Sequence, residues 1–231
     1  VLSRPVPTPD RQADDHRARH RDLSADPVQR YLRYHHVERD DGRLAMAIAQ
    51  RRLTLDEFLA LPEEKPALEL VDGEVTQKVA PQTRHAAMQF EVAALFNSFA
   101  RPRTLGRAFP EHRSSYDEAS TVPDVAYFVR DRIPRDRHGL LVNRVFHPPD
   151  IAVEIASPDQ PVARLLIRCL WYVAHGVRIA LMIDPERRWV VLFRPAAEPL
   201  VLGDTGTLDL GDVIPGFVLD VGLLFQALYV D

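Results

Sequence analysis

The sequence predicts a mixed sheet flanked by helices, α/β or α+β in class. Three observations predict it. Apolar runs of strand length recur in the second half of the chain: VAYFV at 125–129, IAVEIA at 151–156, RIALMI at 178–183 and WVVLF at 189–193. Two stretches with helical apolar spacing, 83–100 and 163–175, are interleaved with strand-like runs. An Asp72-Gly73 pair divides ALELVDGEVTQKVA, and such a pair between apolar runs is the strongest short-range hairpin signal.

The elements follow in order from Thr54. Thr54 and Glu57 have capping-box spacing and open a short helix that ends near Pro62. The hairpin of 67–80 comes next, then the helix of 83–100, with Ala86, Ala87, Phe90, Val92, Ala93, Ala94, Phe96 and Phe99 as its apolar set. A strand-like segment over 105–116 is broken near Pro110, and the 125–129 and 151–156 strands follow. Between the last two lies a long polar loop. The 163–175 helix stops before Gly176. The 178–183 and 189–193 strands are joined at Asp184-Pro185, and short strands and a closing helix around 221–228 complete the chain.

The first 45 residues differ from the rest. They hold nine arginines, eight acids, four of the nine histidines and few apolar residues, so they are expected to form a tail without a packed core of its own. His16 and His20 have helical metal-ligand spacing but sit in a solvated charge run. Met46 opens a stretch that reads like a protein start, so residues 1–45 are expected to be a leader and 46–231 the folded domain. A single cysteine, Cys169, excludes an internal disulfide framework and multi-cysteine zinc sites. No run of about 18 apolar residues is present, so no membrane span is expected, and a cytoplasmic protein is. Only two of the 29 basic residues are lysines, Lys65 and Lys78, and neither follows a glycine, which excludes a phosphate-binding P-loop.

Glu154 is the most informative residue. It interrupts an apolar run, where a carboxylate is costly unless it is paired, protonated or bound to a cation. A solvent-directed head, or pairing with Arg164 or Arg168, is the structural alternative. Asp124 follows Pro123 at the mouth of the 125–129 strand, and Glu69 is a third carboxylate among apolar residues. Acids on adjacent strands at one sheet edge would make a hard oxygen site for Mg²⁺ or Mn²⁺. Clustered like charges would destabilise such a site when empty, so neutralising Asp124 is expected to leave stability equal or higher. His85 stands near a helix start, as a helix residue or a functional one. The 130–149 loop holds five arginines, among them Arg135 and Arg137, against two acids, which suits a phosphodiester backbone or a solvated loop.

The succession LTLDEFLALPEE, LELVDGEV, a proline-led helix with His85, VPDVAYF, DIAVEIASP, WYVAHGVRIALMIDP and IPGFVLDV resembles the Uma-two family of restriction endonucleases, in the PD-(D/E)XK nuclease superfamily, across roughly residues 53–228. The resemblance implies a restriction-endonuclease-like core and Mg²⁺-dependent hydrolysis of DNA. It makes Glu69, Asp124, Glu154 and Arg168 the catalytic set, with Asp124 and Glu154 as metal ligands. His85, Arg135 and Arg137 become the expected substrate contacts. DNA is the implied partner, and relatives that dimerise make a homodimer the assembly to look for. Where the family carries Asp and Lys on the helix after the Glu strand, this chain has Arg164 and Arg168. Arginine stays protonated and cannot act as a base, so weak cleavage is expected. A catalytically lapsed module that binds DNA or protein is the rival expectation. Lys78, at the far end of the hairpin, can substitute only if the fold brings it to the site.

Because residues 1–45 lack the apolar content that offsets the entropy of ordering, a chain starting at Met46 should melt at the same midpoint with unchanged cooperativity. Thermal unfolding of the two chains checks this, and a large drop in midpoint would show that the tail packs on the core.

Overall fold

The computed structural model describes residues 52–158 and 160–230; the 1–45 tail and its boundary at Met46 lie outside them. The first helix, α1 (Leu55–Leu59), carries the expected capping box: the Glu57 N–H donates to Thr54 Oγ1, and the Thr54 N–H donates to the Glu57 carboxylate at 3.0 Å. Strands β1 (Leu68–Val71) and β2 (Glu74–Gln77) form the predicted hairpin. Both turn residues are left-handed, Asp72 at φ 51° and Gly73 at φ 78°, as a two-residue turn matched to strand twist requires.

Helix α2 (Thr83–Ala100) buries His85, Met88, Val92, Phe96 and Ala100, a stripe at intervals of three and four residues. Strands β3 (Gly106–Pro110), β4 (Ser114–Tyr116), β5 (Ala119–Thr121), β6 (Val125–Val129) and β7 (Ile151–Ile155) follow. Strand β5 was not expected. It pairs with β4 through a turn at Asp117 and Glu118, both at positive φ (47° and 57°). The usual signal for such a turn is a glycine, and its absence hid the hairpin. Helix α3 (Val162–Ala174) leads to β8 (Ile179–Asp184) and β9 (Trp189–Phe193), then β10 (Leu200–Gly203), β11 (Thr207–Asp209), β12 (Val218–Asp220) and α4 (Val221–Gln226).

The main sheet has the order β10-β9-β8-β7-β6-β3. It is antiparallel except where β7 and β8 run parallel, and α3 makes the crossover that a parallel pair needs. The alternation of strand side chains separates its two faces. Ile151, Val153 and Ile155 of β7 join the large apolar core with Met88, Val92 and Phe96 of α2 and with Leu224 and Phe225 of α4. Glu154 points to the opposite face, where the Tyr172 hydroxyl of α3 meets it. A second, antiparallel sheet has the order β2-β1-β5-β4. Among the described residues no helix is long and apolar enough to cross a membrane.

Candidate functional site: a buried carboxylate cluster

Strand register brings the first two acids together. In the β6–β7 ladder Val125 faces Val153, so one step further Asp124 stands opposite Glu154. Instead of a further backbone rung, the Asp124 side chain takes over the ladder: its Oδ2 accepts the Ile155 N–H at 2.7 Å. This explains the apolar run around Glu154. Both flanks of the strand are buried, and Asp124 and Glu154 themselves are only 1% and 5% exposed.

The hairpin supplies the third acid and a cation. Glu69 faces Thr76 across β1 and β2, and the alternation of strand side chains sets Lys78 on that same face, two residues beyond Thr76. Lys78 Nζ donates to Asp124 Oδ1 at 2.5 Å and to the Val122 carbonyl at 2.7 Å. Glu69 Oε1 accepts the Val122 N–H at 2.7 Å, which ties the two sheets together beside Pro123. Lys78 was the unplaced lysine of the sequence. Its signal was present, because a two-residue turn sets the hairpin register and the register sets the face.

Helix α3 closes the cluster from the other side. Arg168 donates to Glu69 Oε2 at 3.3 Å, and Tyr172, one turn on, donates to Glu154 Oε1 at 2.7 Å. Glu154 is therefore paired with a phenol, and neither Arg164 nor Arg168 makes an ion pair with it. His85, in the first turn of α2, places Nε2 3.4 Å from Asp124 Oδ1 and Nδ1 3.1 Å from Ser157 Oγ. With Nε2 protonated toward the carboxylate, Nδ1 accepts from the serine hydroxyl.

The three acids sit in different electrostatic environments. Burial alone would raise Asp124, but Lys78 and then His85 outweigh it and hold the carboxyl below its usual value. Burial, reinforced by Asp124 and Glu69, pushes Glu154 up to about 8, against the pull of Lys78 and Arg168. Burial would lower Lys78, yet Asp124, Glu154 and Glu69 together hold its ammonium above the ordinary lysine value. The cluster thus sets an ionised Asp124 against Lys78, places Arg168 beside Glu69, and favours a neutral Glu154 hydrogen-bonded to Tyr172.

Arg135 and Arg137 are placed elsewhere. Both are exposed in the 130–149 loop, and neither hydrogen-bonds to the cluster; Arg137 donates to the His138 ring. The part of the loop that approaches the hairpin is 143–146, which with Lys78, Arg113 and Lys65 lines a cavity of about 680 Å³. Cys169 is buried, as its apolar helical setting predicts. Asp184 holds the turn after β8, accepting the N–H groups of Glu186 and Arg187.

The pairing of Asp124 with Lys78 reverses the expected sign of one substitution. Asp124→Asn removes the carboxylate that compensates a buried ammonium, so it should destabilise the fold by about 3–5 kcal/mol at neutral pH. Glu154 behaves oppositely. Its raised pKa gives stability that is full below its unfolded pKa, near 4.5, and is lost as pH rises through about 8. Glu154→Gln keeps an acceptor for Tyr172 and should abolish that loss, melting higher than the parent at pH 9 and with a flatter profile between pH 5 and 9. Melting curves across this range check both signs. A parent profile that the glutamine variant merely parallels would count against a neutral Glu154.

Comparison with known proteins identifies the family and the fold. The model of the Uma2 family, described as "Putative restriction endonuclease", matches residues 55–222. The crystal structure of a protein from Anabaena variabilis, described as a "putative nuclease belonging to DUF820", is 36% identical, superposes with a TM-score of 0.73, and covers 77% of this chain and 99% of its own. A DrdV–DNA complex aligns with 61% of this chain and 13% of its own at 12% identity and a TM-score of 0.29, which carries no argument. No curated protein matches the sequence. The family match spans every element that builds the cluster, from the hairpin with Glu69 and Lys78 to the helix with Arg168 and Tyr172, and the chain belongs to the Uma2 family.

Proposed function

We propose that the chain hydrolyses DNA phosphodiester bonds with the help of a divalent metal ion held by Asp124 and Glu154. The observation that carries this reading is the placement of the two carboxylates opposite each other on adjacent strands, one step beyond the β6–β7 ladder. The family and its solved relative support the nuclease class.

The donor set suits Mg²⁺ or Mn²⁺. Both ligands are hard oxygens, and Glu154 Oε2 accepts no hydrogen bond among the described residues. Asp124 Oδ1 already meets a cation, the Lys78 ammonium. Among the described residues no three His, Cys, Asp or Glu side chains are grouped as a metal cage. Mg²⁺ binds through one or two carboxylates and keeps waters and substrate phosphate oxygens for the remaining positions. A cation bound there would polarise the phosphate and lower the pKa of an attacking water. The protein's own contributions are distinct. The Ile155 N–H and His85 orient Asp124, Tyr172 orients Glu154, and Arg168 and the Val122 N–H hold Glu69. Glu154 must give up its proton to bind a cation, so metal affinity should rise with pH up to about 8.

Nicking of supercoiled plasmid in millimolar Mg²⁺ or Mn²⁺ tests the reading. The parent should nick, and Glu154→Ala should lose more than about 100-fold, since even indirect support of a metal site is worth 10–100-fold. Calorimetry should show metal binding that the same variant lacks. A parent that neither binds metal at millimolar concentration nor nicks would favour the binding-module alternative, in which the acids serve only to pair with Lys78 and Arg168.

A further inference from the structure

The cluster contains two permanent cations, and they face different ways. The Arg168 guanidinium is turned to Glu69, and its Nη1 is buried with no hydrogen-bond partner. Lys78 instead sits at a boundary. Its ammonium touches Asp124 and the Val122 carbonyl on the inside, and the same residue lines the cavity of about 680 Å³ on the outside, with Arg113, Arg144 and Asn143. Glu69, Asp124, Glu154 and Arg168 do not line that cavity, so within the cluster Lys78 is the charged group that a ligand entering there meets first.

The placement of Lys78 also suits a group that must act repeatedly without being consumed. It is anchored by backbone at the end of a hairpin, since its own N–H donates to the Ala67 carbonyl at 2.9 Å. The side chain is 13% exposed, so its charge is poorly screened, while its neighbours are carboxylates that a metal ion would partly neutralise. Lys65, the other lysine, is exposed and bonds to none of the acids.

We propose that Lys78 is a catalytic residue of the hydrolysis: in the substrate complex its ammonium turns from Asp124 Oδ1 to a non-bridging oxygen of the scissile phosphate and carries the charge that builds there. This rests on the hydrolase reading above. Lys78 donates a hydrogen bond and keeps its proton, so the reaction balances without it: one water adds to phosphorus, one P–O ester bond breaks, and the water's protons end on the leaving alcohol and on solvent. Arg168 is then a positioning residue, acting through Glu69 on the hairpin that carries Lys78.

The test is the steady-state nicking of the parent, Lys78→Met and Lys78→Arg in Mg²⁺, together with calorimetric metal binding by each. Lys78→Met should lose about 100- to 1000-fold in kcat, the usual effect of removing one donor to a developing oxyanion, with KM changed only a few-fold. Metal binding should persist or tighten, because Asp124 Oδ1 is released. Lys78→Arg keeps a donor and a charge and should cut at least about tenfold faster than Lys78→Met. A folded Lys78→Met with parental kcat overturns the assignment, and so does a variant that loses metal binding together with kcat, since Lys78 would then only assemble the acids. If Lys78→Met does not fold, Lys78→Arg decides: partial activity supports the assignment, and loss to the level of Glu154→Ala overturns it. A parent that binds no metal and never cuts fails the hydrolase reading itself, and this assignment with it.

Discussion

The structure turns on the Asp124 carboxylate. It sits where a β-ladder ends, and each of its oxygens is committed: one replaces a backbone acceptor for the Ile155 N–H, the other receives the Lys78 ammonium with His85 close by. A buried carboxylate survives only with such compensation. The requirement links β6 and β7 of the main sheet to the hairpin and to the start of α2, which are far apart in sequence. The backbone around Val122 completes the junction, with its N–H on Glu69 and its carbonyl on Lys78.

Three carboxylates in one buried place would repel each other if they were equivalent, and the fold makes them different. Asp124 is kept ionised by a lysine. Glu69 is tied between a backbone N–H and a guanidinium. Burial pushes the pKa of Glu154 up to about 8, which favours its neutral form. The two basic residues are placed differently, Arg168 against Glu69 and Lys78 at the lining of the cavity.

Much of this was legible in the chain. The periodicity of 83–100 and the apolar runs at 125–129 and 189–193 match the helix and strands residue for residue. The capping box and the Asp72-Gly73 turn are local chemistry, set by residues three or fewer apart. Glu154 and Asp124 stood out because a charge inside or at the mouth of an apolar strand needs a partner. What the pattern did not disclose was the partner's identity. The alternative of an arginine beside Glu154 gives way to Tyr172, and Arg135 and Arg137 of the long loop make no hydrogen bond to the cluster.

The chain by itself determined which residues could not stay uncompensated in a core and which segments form most of the helices and strands, because those depend on side-chain period, turn chemistry and the cost of burying charge. Tertiary structure alone decided how the charges pair. Lys78 reaches Asp124 across 46 positions and Arg168 reaches Glu69 across 99, contacts set by sheet order and strand register rather than by any local signal. The pairing of Lys78 with Asp124 makes destabilisation the expectation for Asp124→Asn, where a reading of three clustered acids without their cations gave the opposite sign. Electrostatic free energy depends on the distances among all the charges at once, and a linear sequence carries the charges without the distances.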